Sequence, residues 1–334
     1  MKAFIAMGLV IMVSLALGQD VDYSGTSAAN FLKLGVGARQ VALGDAASAV
    51  VADASALFWN PAAITRIEGH GGVTLVTMDW LVDSRLSYGA VTLNMPMVGS
   101  FGFDIQYLDY GKIEETTVYD QDGTGRFFGA SDLAAGLTFA RRLTDRFAFG
   151  VKVKYVREQL ANASASAFGF DMGAIFRTTF FNNNMWLAAT LTNFGSKMKF
   201  SGPDLSVIYT IPGNPANKQV PAVLETLEWE LPLAFRFGVA NYFIKTEQLS
   251  WLVSYDVYDS RDFRVRHNLG TEVGYLNAIF LRAGYKFNYD EVSFTAGVGL
   301  NLQKYLHFPI MFDYSFVNYG PFGGLHQLTV NLNY

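Results

Sequence analysis

Apolar side chains alternate with small or polar ones along most of this chain, from about residue 70 to its last residue. One such segment, Phe101–Tyr107, reads FGFDIQY and carries an aromatic or aliphatic side chain at every second position. A period of two residues predicts β-strands with one apolar face. After the N-terminal apolar run, no stretch reaches 18 apolar residues, so spanning helices are not expected. Strands in lipid must pair every backbone group within the wall, which requires a closed barrel.

The alternation predicts about fourteen antiparallel strands, an even number as is usual for bacterial outer-membrane barrels. Their predicted ranges are 71–79, 85–94, 101–107, 131–140, 147–155, 165–177, 185–194, 232–243, 249–257, 263–275, 279–287, 292–300, 308–316 and 326–334. A soluble β-sandwich also alternates, but its polar positions would be rich in Lys, Glu and Thr. Here they hold mostly Gly, Ala, Ser and Asn, and 16% of residues are charged, against about a quarter in soluble proteins. The sequence predicts an all-β membrane protein with a transmembrane barrel over 70–334.

Two long connections, at about 109–131 and 195–231, both follow odd-numbered strands of this barrel. In an even-stranded barrel that starts at the periplasm, these are the extracellular loops, whereas the periplasmic turns are short. The second loop carries several prolines, which fix the φ angle and stiffen the chain. It also holds Leu227, Trp229 and Leu231, and an ordered apolar loop suits protein docking because it loses less entropy on binding.

The first residues have the features of a secretory signal peptide. Lys2 is followed by an apolar run from Ala3 to Leu17, and then by a small-x-small site that ends at Gly18. The run is shorter than the roughly 20 residues that a spanning helix needs. We therefore expect residues 1–18 to be removed during export. The chain contains no cysteine, so the site is not that of a lipoprotein and no disulfide forms.

The last strand is amphipathic and ends on an aromatic residue. Its outward positions are Leu328, Val330, Leu332 and Tyr334, and they alternate with polar residues. A terminal aromatic on such a strand resembles the sorting signal that the outer-membrane assembly machinery reads. We expect these four residues to direct the chain into the outer membrane, with lipid as its surroundings.

Residues 19–69 lack the alternation and are rich in alanine, which predicts short helices. Asn60-Pro61 ends one of them, because a residue before proline avoids the helical conformation. The Gly35-Val-Gly37 run has neither the spacing nor the strand–helix setting of a phosphate-binding loop. An apolar, partly helical segment before a barrel is best interpreted as a plug, or hatch, in the lumen.

Charged residues at lumen-facing positions form the main polar feature of the predicted barrel. They are Lys152, Lys154, Asp171, Asp256, Arg264, Arg266, Glu272, Arg282 and Lys286. Two interpretations are open: a charged path for a polar solute, or a mutually neutralising network that anchors the hatch. Buried charges need partners, which favours the network.

No pattern in the chain indicates catalysis, a cofactor or a metal ion. The four histidines are dispersed without a partner at ligand spacing, and no Gly-x-Ser-x-Gly nucleophile motif occurs. A net charge of −4 disfavours nucleic-acid binding. We therefore expect a protein that is not an enzyme and needs no cofactor.

The run FLKLGVGARQVALGDAASAVVADASALFWNPAAI, from Phe31 to Ile64, resembles the N-terminal signature of the PorV/PorQ proteins of type IX secretion. These are relatives of the FadL long-chain fatty-acid channels, with which they share an Asn-Pro-Ala hatch element, here Asn60, Pro61 and Ala62. The resemblance implies a fourteen-stranded plugged barrel that binds or shuttles secreted cargo, or contacts other secretion-system subunits, at the cell surface. The FadL side of the resemblance implies an alternative, the passage of fatty acids or other hydrophobic molecules, with a lipid-like ligand.

The predicted signal peptide can be checked by the mass of the mature protein. We expect protein purified from outer membranes to begin at or next to Gln19, because cleavage follows the small residue Gly18. Intact-mass spectrometry measures this directly. A mature protein that retains residues 1–18 would contradict the prediction.

Overall fold

The computed structural model describes residues 25–180, 184–210, 219–303 and 309–334. The predicted signal peptide, residues 19–24 of the predicted hatch, and Phe308 of the predicted thirteenth strand lie outside these residues. None of the helices in the described residues has the length and apolar composition to cross a bilayer.

Fourteen antiparallel strands close into one barrel, as the alternation predicted. The strands of the described residues are β1 (Gly71–Asp79), β2 (Arg85–Met95), β3 (Gly99–Glu114), β4 (Phe127–Arg142), β5 (Phe147–Leu160), β6 (Ala163–Arg177), β7 (Met185–Gly195), β8 (Ser206–Tyr209), β9 (Val220–Val223), β10 (Ala234–Lys245), β11 (Leu249–Ser260), β12 (Phe263–Tyr275), β13 (Ile279–Phe287), β14 (Phe294–Asn301), β15 (Ile310–Asn318) and β16 (Gly324–Asn333). All but β8 and β9 belong to the barrel wall, and each pairs with its sequence neighbour in the wall. Every predicted strand corresponds to one of the fourteen.

The seam of the barrel joins the first strand to the last. β1 pairs with β16 from Gly72 opposite Asn333 to Asp79 opposite His326. Just beyond the strand, the Tyr334 N–H donates to the Gly71 carbonyl at 3.0 Å, and the Gly71 N–H donates back at 3.1 Å. The barrel therefore has no open edge, which lipid would leave unpaired.

The two faces of the wall follow the predicted alternation. Along β3, the apolar side chains of Phe101–Tyr107 point outward and are exposed, whereas Asp104 and Gln106 point inward and are buried. The same pattern holds along β5, where Lys152 and Lys154 point inward. An exposed apolar exterior around a polar interior is the arrangement of a membrane barrel.

The connections are long at one end of the barrel and short at the other. The short end has turns such as 96–98, 143–146 and 276–278. At the long end, β3 and β4 extend to Glu114 and back from Phe127, so the connection predicted at 109–131 is shorter than expected. Those strand ends contain apolar residues, such as Ile113, Phe127 and Phe128, but not in a period of two, so the alternation gave no sign of them.

The other long connection, 196–233, contains structure that the sequence did not predict. It has a 3-10 turn, Pro203–Leu205, followed by a hairpin of β8 and β9 that pairs outside the barrel. An isolated bridge between Met198 and Trp229 joins its two ends to each other, and bridges of Ser201 with Ser164 and of Glu230 with Ser27 attach it to β6 and to the hatch.

The hatch, residues 25–70, runs through the lumen from the long-loop end to the short-turn end. At the first end the Ala28 N–H donates to the Glu230 carbonyl at 2.9 Å, and at the other end the hatch leads into β1. It contains the short helices α1 (Ala38–Ala42) and α2 (Ala56–Trp59) and two 3-10 turns, Asn30–Lys33 and Pro61–Arg66. Its large apolar side chains are among the most deeply buried of the described residues: Trp59, Phe31, Leu43, Leu57 and Ile64. The hydrophobic core therefore lies inside the barrel, around the hatch.

The outward face can be tested with a charge at mid-wall. Leu137 on β4 is 67% exposed and lies between Phe103 and Val153 of its neighbouring strands. We expect Leu137→Lys to lower the free energy of unfolding in lipid vesicles by about 2–4 kcal/mol, the cost of a cation on the lipid face at mid-membrane.

Leu143→Lys is the matched control, because Leu143 is 60% exposed but lies in the turn 143–146. A lysine there can stay in water, so the unfolding free energy should change little. Equal losses for the two variants would mean that the Leu137 face does not contact hydrocarbon.

Candidate functional site

Asn60, Pro61 and Ala62 link the hatch to the barrel wall. The Asn60 side-chain amide donates to the Ser48 carbonyl at 3.0 Å and to the Ala174 carbonyl on β6 at 3.2 Å. Its Oδ1 accepts the Ala62 N–H at 3.1 Å, which caps the 3-10 turn that begins at Pro61. Asn60 itself is extended, as expected before a proline, and is completely buried. One buried amide thus fixes two parts of the hatch and one wall strand.

Two wall glycines make room for this motif. Gly150 on β5 and Gly173 on β6 are register partners and point inward. A Cβ on Gly150 would lie 2.6 Å from the Ala62 nitrogen, and one on Gly173 would lie 2.1 Å from Asn60 Oδ1. The hatch motif therefore packs directly on the backbone of the wall. The alternation along the predicted strand 147–155 puts Gly150 on the same inward face as Lys152, but it gave no sign that the hatch rests there.

A second glycine pair supports the hatch on another part of the wall. Gly270 on β12 and Gly284 on β13 are also register partners. A Cβ on Gly270 would lie 2.5 Å from the Leu43 carbonyl oxygen, and one on Gly284 would lie 2.1 Å from the Gly44 nitrogen. The turn after α1 thus lies against bare backbone, as the Asn-Pro-Ala motif does.

The lysines of β5 have separate carboxylate partners. Lys152 contacts Asp104 at 2.6 Å and donates to the Leu57 carbonyl of the hatch at 2.9 Å. Lys154 contacts Asp171 at 2.7 Å. Asp171 lies at an irregularity in the β6–β7 pairing and also accepts the Asn193 N–H at 2.7 Å. Asp104 was missed as a partner, although its inward position in the predicted strand indicated it.

A second cluster surrounds Arg282 on β13. Its guanidinium contacts Glu272 at 2.6 Å and Asp313 at 2.5 Å, and all three side chains are buried. Arg39 of α1 forms two hydrogen bonds with the Glu272 carboxylate, both at 2.8 Å. Lys286 contacts Asp45 of the hatch at 2.5 Å. The hatch residues Arg39 and Asp45 were not among the predicted charges, because the helical pattern of the hatch does not show which wall strand each faces.

Asp256, Arg264 and Arg266, three of the predicted lumen charges, do not come together in the structure. Asp256 accepts the Ser48 N–H of the hatch at 2.9 Å and lies opposite Asn268 in the strand register. Arg264 lies near the rim, half exposed and 4.0 Å from Asp290. Arg266 stacks over the Phe263 and Tyr289 rings. The register therefore places both arginines nearer the long-loop end than Asp256, so these three residues do not join one network.

The three predicted docking residues lie in different environments. Leu227 is 71% exposed and Trp229 is 41% exposed. Leu231 is only 2% exposed, because its side chain enters the lumen against Gly169 and Gly195. Leu231 therefore cannot contact a partner on the surface, because the end of the loop turns into the lumen before β10 begins at Ala234.

The C-terminal residues lie on the lipid face of the seam. Leu328, Val330 and Leu332 of β16 point outward opposite β1. The Tyr334 hydroxyl donates to the Thr92 carbonyl at 3.0 Å. Their role as a sorting signal stays a prediction.

Two cavities adjoin the hatch. One, of about 30 Å³, lies inside the lumen and is lined by Lys152, Lys154 and Arg236 among others; it has room for about one water. The other, of about 500 Å³, opens at the long-loop end between hatch residues 25–30, the wall and the loop 196–233. Within the described residues there is no group of three or more His, Cys, Asp or Glu placed to hold a metal ion.

The hatch is also held at the rim. Lys33 contacts Asp262, in the short turn after β11, at 2.5 Å. Burial alone would raise the pKa of Asp262, but hydrogen bonds from Lys33, Ser260 and Ser27 outweigh it and lower the pKa. Asp262 therefore stays charged at neutral pH, and this ion pair fixes the start of the hatch.

The seat of the Asn-Pro-Ala motif can be tested by adding one methyl group. We expect Gly173→Ala to lower the free energy of unfolding by about 1–3 kcal/mol, the usual cost of overpacking, because its Cβ would overlap Asn60 and Pro61. Limited proteolysis should also cleave the hatch sooner than in the wild type.

Gly89→Ala is the matched control on β2. Its Cβ would point outward, with the nearest atoms at 3.7 Å, which is ordinary contact. The two variants share the same change in strand propensity. A similar loss in both would show that the hatch does not rest on Gly173.

Comparisons with known proteins agree with this architecture. The family model described as type IX secretion system protein PorV matches residues 19–214, more than half of the chain. None of the curated proteins matches this chain.

Several solved structures share the fold. The chain is similar to the toluene transporter TbuX of Ralstonia pickettii, with 13% identity and a TM-score of 0.57 over 90% of this chain and 98% of TbuX. It is also similar to the Pseudomonas putida toluene transporter TodX, with 16% identity and a TM-score of 0.55 over 89% and 96% of the chains. A Pseudomonas aeruginosa FadL homologue has 14% identity and a TM-score of 0.52 over 89% and 97%. At these identities the likeness shows the fold. Taken with the family match, it means that this chain is an outer-membrane β-barrel and belongs to the PorV family of type IX secretion system proteins.

Proposed function

We propose that this protein is a component of type IX secretion that binds secreted cargo proteins, or other subunits of the secretion system, at the cell surface. The observation that carries the proposal is the row of exposed apolar side chains on the connection 196–233. Its exposed members in the described residues include Ile208, Val223, Leu224 and Leu227. Exposed apolar groups concentrated on one loop are typical of a protein interface. Membership of the PorV family gives the class of partner.

The described residues of the loop, 196–210 and 219–233, are held by contacts with one another, which suits docking. The backbones of Met198 and Trp229 exchange two hydrogen bonds, at 2.8 and 2.9 Å, and the Thr226 hydroxyl donates to the Phe200 carbonyl at 2.7 Å. A preorganised surface loses less entropy on binding. The β8–β9 hairpin is a two-stranded sheet, so its outer edges also offer main-chain groups to an extended partner.

The filled lumen supports partner binding over conduction. Lys152, Arg39 and Asp45 each join the hatch to the wall through a buried charge-assisted contact. We propose that the lumen charges anchor the hatch, since an unpaired buried charge is costly. The chain would then act through its outer surface, without catalysis, in agreement with a family of secretion components.

Transport of long-chain fatty acids or other hydrophobic molecules is the second candidate. It is favoured by the likeness in fold to toluene transporters and by the 500 Å³ cavity at the long-loop end. The internal cavity of about 30 Å³ is far smaller than the roughly 150 Å³ that holds benzene in a protein core, so a solute needs the hatch to move. Native mass spectrometry without a lipid-like ligand, together with unimpaired uptake in a deletion strain, would exclude this candidate.

The docking loop can be tested with one charge substitution. We expect Leu227→Glu to reduce the amount of secreted protein recovered with the affinity-tagged barrel by about tenfold or more, the loss expected for a hot-spot side chain. The measurement is quantitative mass spectrometry of proteins captured from a deletion strain that carries the variant.

Leu143→Glu makes the same change on an exposed leucine at the short-turn end and should leave recovery unchanged. Normal recovery with Leu227→Glu would rule out this loop as the docking surface. Normal secretion in the deletion strain itself would reject the role in secretion.

A further inference from the structure

The cavity at the long-loop end contains two carboxylates that face each other. Asp132 on β4 and Glu158 on β5 are direct register partners, and both line the cavity. Like charges directly opposite in a sheet repel each other. Neither carboxylate has a cationic partner among the described residues. This differs from the lumen below, where Asp104 and Asp171 each contact a lysine.

Both carboxylates keep one oxygen free for a ligand. Asp132 accepts the Tyr110 hydroxyl at 2.7 Å through one oxygen, and Glu158 accepts the Ala29 N–H at 2.9 Å through one oxygen. No donor within the described part of the chain reaches their second oxygens. Asp132 is only 5% exposed and lines the cavity, so its second oxygen remains available on the cavity side. The site therefore has unsatisfied capacity for a positive group.

The remaining wall of the cavity is largely apolar and aromatic. It includes Tyr110, Ile113, Leu160, Phe200 and Trp229. Aromatic faces attract cations and also pack against an aliphatic stem. A volume of about 500 Å³ lies within the range of about 300–1,000 Å³ typical of ligand pockets. Such a wall fits a cation carried on an apolar chain.

Two lining residues belong to the loop through which docking is proposed. Phe200 and Trp229 flank the β8–β9 hairpin, and Trp229 lies two residues from the exposed Leu227. A polypeptide bound along this loop would therefore pass the mouth of the cavity. A free small amine would contact the same carboxylates, but it would not gain binding free energy from contacts with the loop.

We propose that this cavity binds a lysine or arginine side chain of a polypeptide docked on the described residues of the loop, 196–210 and 219–233. The inserted cation would contact Asp132 and Glu158, and its stem would pack between Tyr110 and Trp229. The inference rests on the proposed function, because it names a chemical feature that the bound partner carries. It also predicts that the segment next to the cation is apolar.

The test uses the full-length mature protein in lipid nanodiscs and a defined probe. The probe is the fluorescent blocked pentapeptide Leu-Val-Lys-Val-Leu, measured by fluorescence anisotropy beside a second peptide with norleucine in place of lysine. We expect the lysine peptide to bind about tenfold or more tightly than the norleucine peptide, as for one buried charge pair. The double variant Asp132→Asn/Glu158→Gln should remove that advantage.

The control variant is Asp259→Asn/Glu291→Gln, which neutralises two exposed carboxylates at the same end of the barrel. It should bind the lysine peptide as the wild type does. The Asp132/Glu158 variant should melt at or above the wild-type temperature, because a repulsive pair has been removed. Loss of binding with a normal melting curve therefore reports the site and not unfolding.

Three outcomes would overturn the proposal. One is equal affinity of the wild-type protein for the lysine and norleucine peptides, a comparison that needs no variant. Another is unchanged binding in the Asp132/Glu158 variant. The third is hexylamine binding as tightly as the peptide, which would assign the site to free amines. If any of these outcomes is found while cargo recovery by the wild-type barrel is normal, only the cation site is refuted. The role in secretion is tested separately, by whether the deletion strain still secretes its cargo.

Discussion

Every backbone N–H and C=O of the wall must find a partner within the protein, because hydrocarbon offers none. This requirement closes the sheet through the β1–β16 seam and turns its apolar side chains outward. A closed wall of fourteen strands encloses a space that its own side chains do not fill. The hatch fills it, so the buried apolar core is built around Trp59 and Leu57 of a segment that belongs to no strand.

The wall accepts the hatch by two complementary means. Where the hatch backbone comes closest, the wall supplies glycine pairs, Gly150 with Gly173 and Gly270 with Gly284. Where the hatch presents charge or unpaired amides, the wall supplies carboxylates, as Glu272 does for Arg39 and Asp256 does for the Ser48 N–H. Steric fit and charge pairing thus act on the same surface, and a change to either affects the position of the hatch.

Alternation alone predicted all fourteen wall strands and the inward position of Lys152 and Lys154, because the membrane imposes that period on each strand. The alternation could not show which charged side chains form ion pairs with each other. Lys152 lies opposite Asp171 but reaches across Gly136 to Asp104, because that glycine leaves room for the lysine side chain. The β8–β9 hairpin and the burial of Leu231 depend on loop geometry, for which the sequence carries no periodic signal. The family resemblance rested on the hatch sequence and is confirmed by the PorV family match.

The path of the hatch has a consequence for the two ends of the folded chain. An even number of strands normally returns a polypeptide to the side from which it started. Here the hatch adds one more traverse of the barrel, so Gly25 and Tyr334 lie on opposite sides of the protein. A label attached ahead of residue 25 would be displayed beside the outer loops, whereas a label after Tyr334 would extend from the opposite rim, next to the seam.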